Sequence, residues 1–250
     1  VDSLIKKRAF EEALELVKSF ETNELSNEDK VITYRLIQKI YSPRGIGNFD
    51  SSIHYLQLCL PLIESDSIIA LGQKELGNLL VFTGDYPNAN QAFLEALKGL
   101  EFMPTTLDSI QLFSRLALTF GVLGQPEKQL NSLERINEVL KHTTDDFAKT
   151  IGYFDQINYY HVNDNGEKVK ELLPYLKASG LKLKDSVLVS NVAKAVAAYY
   201  RREDNLQLDS AEHYSLMAIE YLSRGNIPTE EYNLKISLEN TYFYKKEFEQ

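Results

Sequence analysis

A chain of 250 residues with a net charge of -9 lacks the basic surface that nucleic-acid binding usually needs. Its hydrophobic residues make up 44% and its charged residues 25%, and it has no run of about 18 apolar residues that would span a membrane. We therefore expect a globular segment that neither binds nucleic acid nor inserts into a membrane. The single cysteine, Cys59, excludes an intrachain disulfide and is predicted to pack as a small apolar residue.

Helix-forming residues dominate the chain, whereas its 7 prolines and 12 glycines are few for this length. Polar side chains ahead of an acidic first turn mark helix starts, as in Ser26 before Asp29 and Thr143 before Asp146. Prolines and glycines between the apolar stretches mark helix ends. These signals predict about twelve antiparallel helices, near residues 8–21, 27–42, 49–64, 67–83, 86–101, 105–123, 126–140, 144–161, 165–179, 185–202, 207–224 and 228–246.

Residues 76–96 form the clearest unit of an internal repeat. Gly77 allows a neighbouring helix to approach closely, and Gly84 supplies the positive φ that ends a first helix. The spacing therefore predicts two helices joined by a tight turn. One face of the second helix carries Ala89, Phe93 and Ala96.

The same unit recurs about every forty residues, and the large residues near the ends of the first helices are 39, 40, 40 and 40 positions apart. Helix pairs cannot bury their apolar faces alone, so neighbouring pairs must stack. We therefore predict one all-α superhelix over residues 1–250, in a single domain, whose concave surface is lined by first helices. The first-helix series is Tyr41, Leu80, Phe120, Tyr160 and Tyr200, and the second-helix series is Val17, Leu56, Phe93, Leu133 and Leu173. The turns read Gly47-Asn48-Phe49, Gly84-Asp85-Tyr86, Gly124-Gln125-Pro126 and Asn165-Gly166-Glu167.

The stretch from Leu76 to Ala96, with its turn at residues 84–86, resembles the tetratricopeptide repeat. The other units match more loosely, since Gln38 and Ala117 stand at the position of Gly77. Their period of about forty exceeds the usual thirty-four, which predicts longer helices. The resemblance implies a tetratricopeptide-like solenoid whose concave surface binds a protein segment or a peptide.

Lengthened, degenerate repeats of this kind resemble those of bacterial signalling and regulatory proteins. One such group comprises cytoplasmic peptide-pheromone receptors and response-regulator phosphatases, and another comprises sensor kinases with an extracytoplasmic repeat array. The resemblance leaves the compartment open between cytoplasm and periplasm. Both ends of the chain look cut within a repeat, so we expect a fragment of a longer protein with an attached output domain beyond Gln250.

A third class of function, an enzyme with a repeat-built active site, would need converging titratable side chains or a catalytic motif. Asp209 and His213 stand one helical turn apart, but two ligands are too few for a metal site. The sequence has no phosphate-binding glycine loop, no His-Glu-x-x-His and no Gly-x-Ser-x-Gly. We therefore expect no enzymatic activity, no metal and no cofactor.

Three polar residues are candidates for ligand contacts in the predicted groove. Lys74 and Asn78 share a helix face and resemble the start of the carboxylate clamp by which some tetratricopeptide proteins hold a C-terminal carboxylate. In the next repeat, Arg115 stands where the clamp would have asparagine, and Leu118 adds no polar group. Lys149 is a further candidate cation, so the sequence leaves open a full clamp, a looser site for an acidic peptide, and ordinary exposed side chains.

Aromatic residues offer a second set of candidates, because the chain has 15 tyrosines and no tryptophan. The doublets Tyr159-Tyr160 and Tyr199-Tyr200 recur one repeat apart, and adjacent helical residues point about 100° apart. One ring of each doublet can therefore pack while the other reaches the groove. Tyr160 and Tyr200 are the groove candidates, with inter-repeat packing as the alternative.

Two functions follow from these features. The first is a non-catalytic module that binds a protein or peptide as the sensing or scaffolding part of a signalling protein. The second is a peptide-gated regulatory domain of a transcription regulator or of a response-regulator phosphatase, in which binding changes the curvature of the superhelix.

Overall fold

The computed structural model of the chain is helical throughout its described elements. Residues 1–19, 25–43, 45–202 and 206–224 are described, together with residues 238 and 242. The helices are α1 (Asp2–Lys6), α2 (Phe10–Lys18), α3 (Asn27–Tyr41), α4 (Phe49–Cys59), α5 (Asp66–Phe82), α6 (Tyr86–Lys98), α7 (Thr106–Val122), α8 (Pro126–His142), α9 (Asp146–Val162), α10 (Gly166–Gly180), α11 (Ser186–Tyr200) and α12 (Leu208–Arg224).

The helix positions agree with those predicted from the sequence to within a few residues, and the short helix α1 precedes the predicted series. The predicted helix at residues 228–246 lies outside the described residues. Helices α4 and α6 end earlier than predicted, because each passes into a short 3-10 turn, Leu60–Leu62 and Leu100–Phe102.

Three of the predicted turns carry a glycine with positive φ, namely Gly47 at 77°, Gly84 at 81° and Gly124 at 68°. The fourth turn differs from the prediction. Asp164, at 53°, takes the left-handed conformation forty residues after Gly124, and Gly166 is already the first residue of α10. Aspartate tolerates this conformation better than most side chains, so the repeat keeps its length without a glycine there.

The two predicted helix caps have different outcomes. The Ser26 hydroxyl accepts a hydrogen bond from the Asp29 amide, which confirms the first cap. The second prediction was wrong, because the Asp145 carboxylate caps α9 by accepting from the Phe147 amide. Thr143 instead accepts from the Asp145 amide and so orients the capping residue.

The chain divides into two compact units, Val1–Arg135 and Ile136–Gln250. In the first unit, α3 packs on α4 and α5 packs on α6, while α4 and α6 each also contact the next first helix. In the second unit, α9 packs on α10 and α11 on α12. Each unit is thus built from helix pairs, and one solenoid over residues 1–250 stays a prediction.

The residues of the second-helix series are buried, and the packing of α5 on α6 shows why. A Cβ atom added at Gly77 would lie 2.5 Å from the ring of Phe93, so the glycine gives the ring its place. Cys59 is fully buried, as predicted, and burial raises the pKa of its thiol. The second-helix residues Val17, Leu56, Phe93, Leu133 and Leu173 are at most 4% exposed.

Replacement of Phe93 by Ala should lower the free energy of unfolding by about 3–5 kcal/mol, because it empties a fully buried ring site. Gly77→Ala should cost about 1–3 kcal/mol, because the added methyl group displaces that ring. The double variant Gly77→Ala/Phe93→Ala should cost less than the sum of its single changes, because the added methyl group no longer meets a ring. Urea unfolding followed by circular dichroism measures all four proteins, and strict additivity would contradict the proposed contact.

Candidate functional site

One stripe of each of two first helices stays accessible in the first unit while their other sides are packed. On α5 the stripe carries half-buried Glu75 and Asn78 and then Phe82, which is 65% exposed. The positions forty residues later on α7 are exposed as well. Residues three and four apart point the same way along a helix, so each set forms a row. We call these six residues the first-helix face: Glu75, Asn78, Phe82, Arg115, Leu118 and Val122.

Lys74 lies beside this face but is turned into the contact between α5 and α7. Its side chain is 11% exposed, and its ammonium donates to Oδ1 of Asp108 at 2.5 Å and to Oε1 of Gln111 at 3.2 Å. The partner carboxylate is 18% exposed. A buried charge needs such pairing, because desolvation without a partner is costly. The ammonium group that a carboxylate clamp would need is therefore already held by Asp108.

The Asp108 carboxyl also caps its own helix together with Thr105. The Thr105 hydroxyl donates to Oδ2 of Asp108 at 2.6 Å and accepts from the Asp108 amide. Burial raises the pKa of Asp108, but the hydrogen bonds from Lys74 and Thr105 and the charge of Lys74 outweigh it and hold that pKa below its ordinary value. Asp108 is thus an ionised anchor for Lys74 at neutral pH.

A second polar link joins α3 to α5. Arg35 donates to Oε2 of Glu75 at 2.8 Å, and Gln38 donates to Oε1 of the same carboxylate at 2.9 Å. Gln38 also donates to the hydroxyl of Ser52 on α4 at 3.2 Å. Glu75 is therefore neutralised by its neighbours, and the adjoining residues Lys74 and Glu75 tie α5 to the first helices on either side.

Asn78 and Arg115 are the predicted site residues that lie on the first-helix face. The Asn78 Oδ1 atom is buried and has no hydrogen-bond partner among the described residues, and the same holds for the Ser114 hydroxyl on α7. Arg115 is exposed, and within the described part of the chain it makes no salt bridge. The face thus presents the Arg115 cation, while the Asn78 oxygen lies beneath the surface.

The predicted aromatic candidates belong to the second unit, so they are described apart from Lys74, Asn78 and Arg115. Tyr160 and Tyr200 are partly buried and pack against a core cluster that includes Val192 and Tyr199. Tyr200 also stacks on Tyr214, with ring centroids 5.8 Å apart, and the Lys177 ammonium lies over both rings. Ligand contact by these two tyrosines stays a prediction. The same is true of Lys149, which is half-buried on α9.

Phe82, Leu118 and Val122 were not among the predicted site residues. Phe82 and Val122 end α5 and α7, forty positions apart, and the ring of Phe82 stacks on Phe49 with centroids 5.6 Å apart. The repeat itself carried this signal, because an apolar residue follows two positions after three of the five first-helix residues, at Phe82, Val122 and Val162. The predicted site residues were polar side chains and tyrosines, so these apolar positions were not among them.

Neither metal-binding nor membrane-spanning features occur in the part of the chain that the structure describes. No three His, Cys, Asp or Glu side chains there are placed to hold a metal ion. None of the described helices is long and apolar enough to cross a bilayer.

The fold is similar to those of solved helical-repeat proteins. BtubC (BKLC) from P. vanneervenii superimposes with a TM-score of 0.68 at 13% identity, covering 89% of this chain and 92% of that chain. The C-terminal part of a TPR repeat-containing protein from Cytophaga hutchinsonii gives 0.57 at 16% identity, covering 96% and 91%. YrrB, described as a TPR protein with an unusual peptide-binding site, gives 0.46 at 17% identity, covering 82% and 90%.

No family model matches the sequence, and no curated protein matches it. The structural likeness and the described helix pairs confirm the prediction of an all-α, tetratricopeptide-like solenoid fold.

Lys74→Met should lower the free energy of unfolding by about 2–3 kcal/mol, because it leaves the Asp108 carboxylate mostly buried without its cation. The matched control is Lys98→Met, which removes an exposed pair with Glu95 and should change stability by less than about 0.5 kcal/mol. Chemical unfolding at pH 7 measures both. Equal effects of the two substitutions would show that the Lys74 pair is not structural.

The contribution of Asp108 should depend on pH in a defined direction. Because its folded pKa lies below the ordinary value of 3.8, the stabilisation is fully present above that value and is lost as the pH falls through the folded pKa. The difference in unfolding free energy between the native chain and Asp108→Asn should therefore shrink between about pH 5 and pH 2. A difference that stays constant over this range would contradict the assignment.

Proposed function

We propose that this chain is a non-catalytic module that binds a protein or peptide on its first-helix face. Tetratricopeptide-like helical repeats often serve as such modules. The observation that supports this proposal best is Arg115, an exposed cation without a salt bridge to any described residue, in one row with exposed Leu118 and Val122. Arginine flanked by apolar residues is typical of the centres of protein interfaces.

The chemistry of the face favours a ligand with an acidic group next to an apolar side chain. The guanidinium of Arg115 can hold a carboxylate through two parallel hydrogen bonds. Leu118 and Phe82, which are 40% and 65% exposed, offer apolar contact on the same face. An extended peptide that carries both features would bury these residues and pair the cation.

Asn78 supplies the polar contact that an extended backbone needs. Its Oδ1 atom has no hydrogen-bond partner, although it is buried. Buried polar atoms without partners are rare because each one costs free energy. Because the Asn78 side chain is only half-buried, its rotation would bring this oxygen to the face, where a peptide N–H group can donate to it and fix the register of the ligand.

Lys74 has a positioning role in this proposal. Because its ammonium is held by Asp108 and Gln111, it sets the spacing of α5 and α7 rather than the charge of the ligand site. The anchor for an acidic ligand is then Arg115, and a free C-terminal carboxylate is one of several groups that it can hold.

The wider role that we propose is a sensing or scaffolding part of a bacterial signalling protein. It rests on the resemblance of the lengthened repeats to those of such proteins, and the ligand would act through an output domain attached to this chain.

Binding is tested by fluorescence anisotropy with a library of short labelled peptides, each made with a free and with an amidated C-terminus. We expect acidic peptides with a neighbouring apolar residue to bind. Arg115→Gln and Leu118→Ser should each weaken binding about tenfold, since each removes a central contact. Lys98→Gln, which removes an exposed cation from α6 outside the face, should leave binding unchanged.

Two results would count against this assignment. Peptide binding that is equal in the native chain and in Arg115→Gln would place the site elsewhere. Loss of binding in Lys98→Gln as well would indicate unspecific attraction to positive charge. Sensitivity to amidation would identify the terminal carboxylate as the group that Arg115 holds.

A further inference from the structure

A separate cleft lies on the other side of α7, within the first unit. Its floor is formed by Phe113, Leu116 and Phe120, and its volume is about 600 Å³. These floor residues are each two positions away from Arg115, Leu118 and Val122, so they lie about 200° further round the helix. We call this space, bounded by α6, α7 and α8, the α6–α8 cleft.

The two walls of the α6–α8 cleft differ in chemistry. The α6 wall is apolar and carries Leu94, which is 40% exposed, with Leu97 and Leu100. The repeat does not require this, because α8 has Glu134 and Asn137 forty residues after Leu94 and Leu97. The leucine wall, in which Leu94 is exposed and Leu97 and Leu100 are half-buried, is therefore not repeated on α8.

The α8 wall is polar and carries two cations. The Lys128 ammonium lies 5.5 Å from the centroid of Phe120, and the Arg135 guanidinium lies 5.7 Å from that of Phe113. In the described part of the chain neither cation forms a salt bridge with a carboxylate. At the equivalent positions α6 has Asn88 and Glu95, and α10 has Lys168 and Tyr175, so of these three helices α8 alone carries a cation at both positions.

We propose that the α6–α8 cleft binds a small amphipathic anion, an apolar chain that ends in a carboxylate. The leucine wall and the aromatic floor take the apolar chain, and Lys128 or Arg135 pairs with the carboxylate. A cleft of about 600 Å³ is in the usual range for small-molecule sites, which combine apolar linings with a few polar groups. Among the residues that line the cleft, Lys128 and Arg135 face one carboxylate, that of Glu127, and this net positive charge favours an anion over a neutral or cationic ligand.

The length of the cleft favours a small molecule over a helix of a partner protein. The floor runs from Phe113 to Phe120, seven residues of helix or about 10 Å. That length matches a chain of medium size, whereas a partner helix that docks through successive turns would need a longer groove.

The test uses the full chain and three probes: decanoate, decyltrimethylammonium and acetate. Leucine methyl signals in NMR spectra report on Leu94, Leu97, Leu100 and Leu116. We expect decanoate to shift these signals saturably and the two other probes to leave them unchanged. Lys128→Gln and Arg135→Gln should weaken decanoate binding, with about a tenfold loss for the cation that holds the carboxylate. Lys98→Gln, which changes an exposed cation of α6 that does not line the cleft, should have no effect.

Each other outcome overturns the proposal. Equal shifts with decyltrimethylammonium would show that the cleft does not select for an anion. Binding of decanoate that neither substitution weakens would place the ligand elsewhere. Shifts caused by an acidic amphipathic helical peptide but not by decanoate would identify a protein partner instead. Because Lys128 and Arg135 are both exposed, thermal unfolding should show that both variants remain folded.

Discussion

The close packing of α5 on both sides determines which of its residues remain accessible. A Cβ atom at Gly77 would meet the Phe93 ring at 2.5 Å, and one at Gly72 would meet Leu60 at 2.6 Å. These two glycines allow the second helices before and after α5 to approach it closely. The side of α5 that contacts neither of these helices stays accessible, and it carries the row of residues that ends at Phe82. The first-helix face is therefore a consequence of core packing, since exchanging either glycine for a larger residue would move the helices that bound it.

The charged residues that join neighbouring helices are paired with one another, unlike the charged residue that we propose for ligand binding. Lys74 and Asp108 are mostly buried and satisfy each other, and Glu75 is neutralised by Arg35. Arg115 is forty residues after Glu75, at an equivalent position, yet it has no such partner among the described residues. The same repeat position thus forms a salt bridge between two helices in one repeat, and in the next it is exposed and forms none with the described residues. Degenerate repeats make this division of roles feasible, because stacking needs apolar residues at only some positions.

The sequence predicted the fold more completely than the site, and the reason is physical. Helix limits, the turn at Gly84 and the place of Phe93 follow from local spacing, which a single repeat unit contains. The role of Lys74 does not, because its partner Asp108 is 34 residues away and belongs to another helix. Their spacing of four placed Lys74 and Asn78 on one predicted helix face. Residues four apart are nevertheless offset by about 40° around a helix. This offset is enough for Lys74 to enter the contact with α7 while Asn78 stays on the first-helix face. Asp164 was missed for a similar reason, because the left-handed position is fixed by the repeat length and not by the nearest glycine.

Helix α7 carries a proposed binding surface on each side, and both surfaces are reflected in its composition. The residues Phe113, Leu116 and Phe120 are large because they must both pack and form the floor of the α6–α8 cleft. A helix packed on all sides, as α5 nearly is, offers no such floor. The cleft stays open because α8 presents polar residues to the leucines of α6, and a polar wall gains little from closing on an apolar one. The cations over the aromatic rings compensate by covering the floor, with a stabilisation of about 0.5–1 kcal/mol each at exposed sites. This contribution is small enough for the carboxylate of a ligand to draw a cation away from its ring. The contacts that stabilise the cleft therefore do not prevent a ligand from binding there.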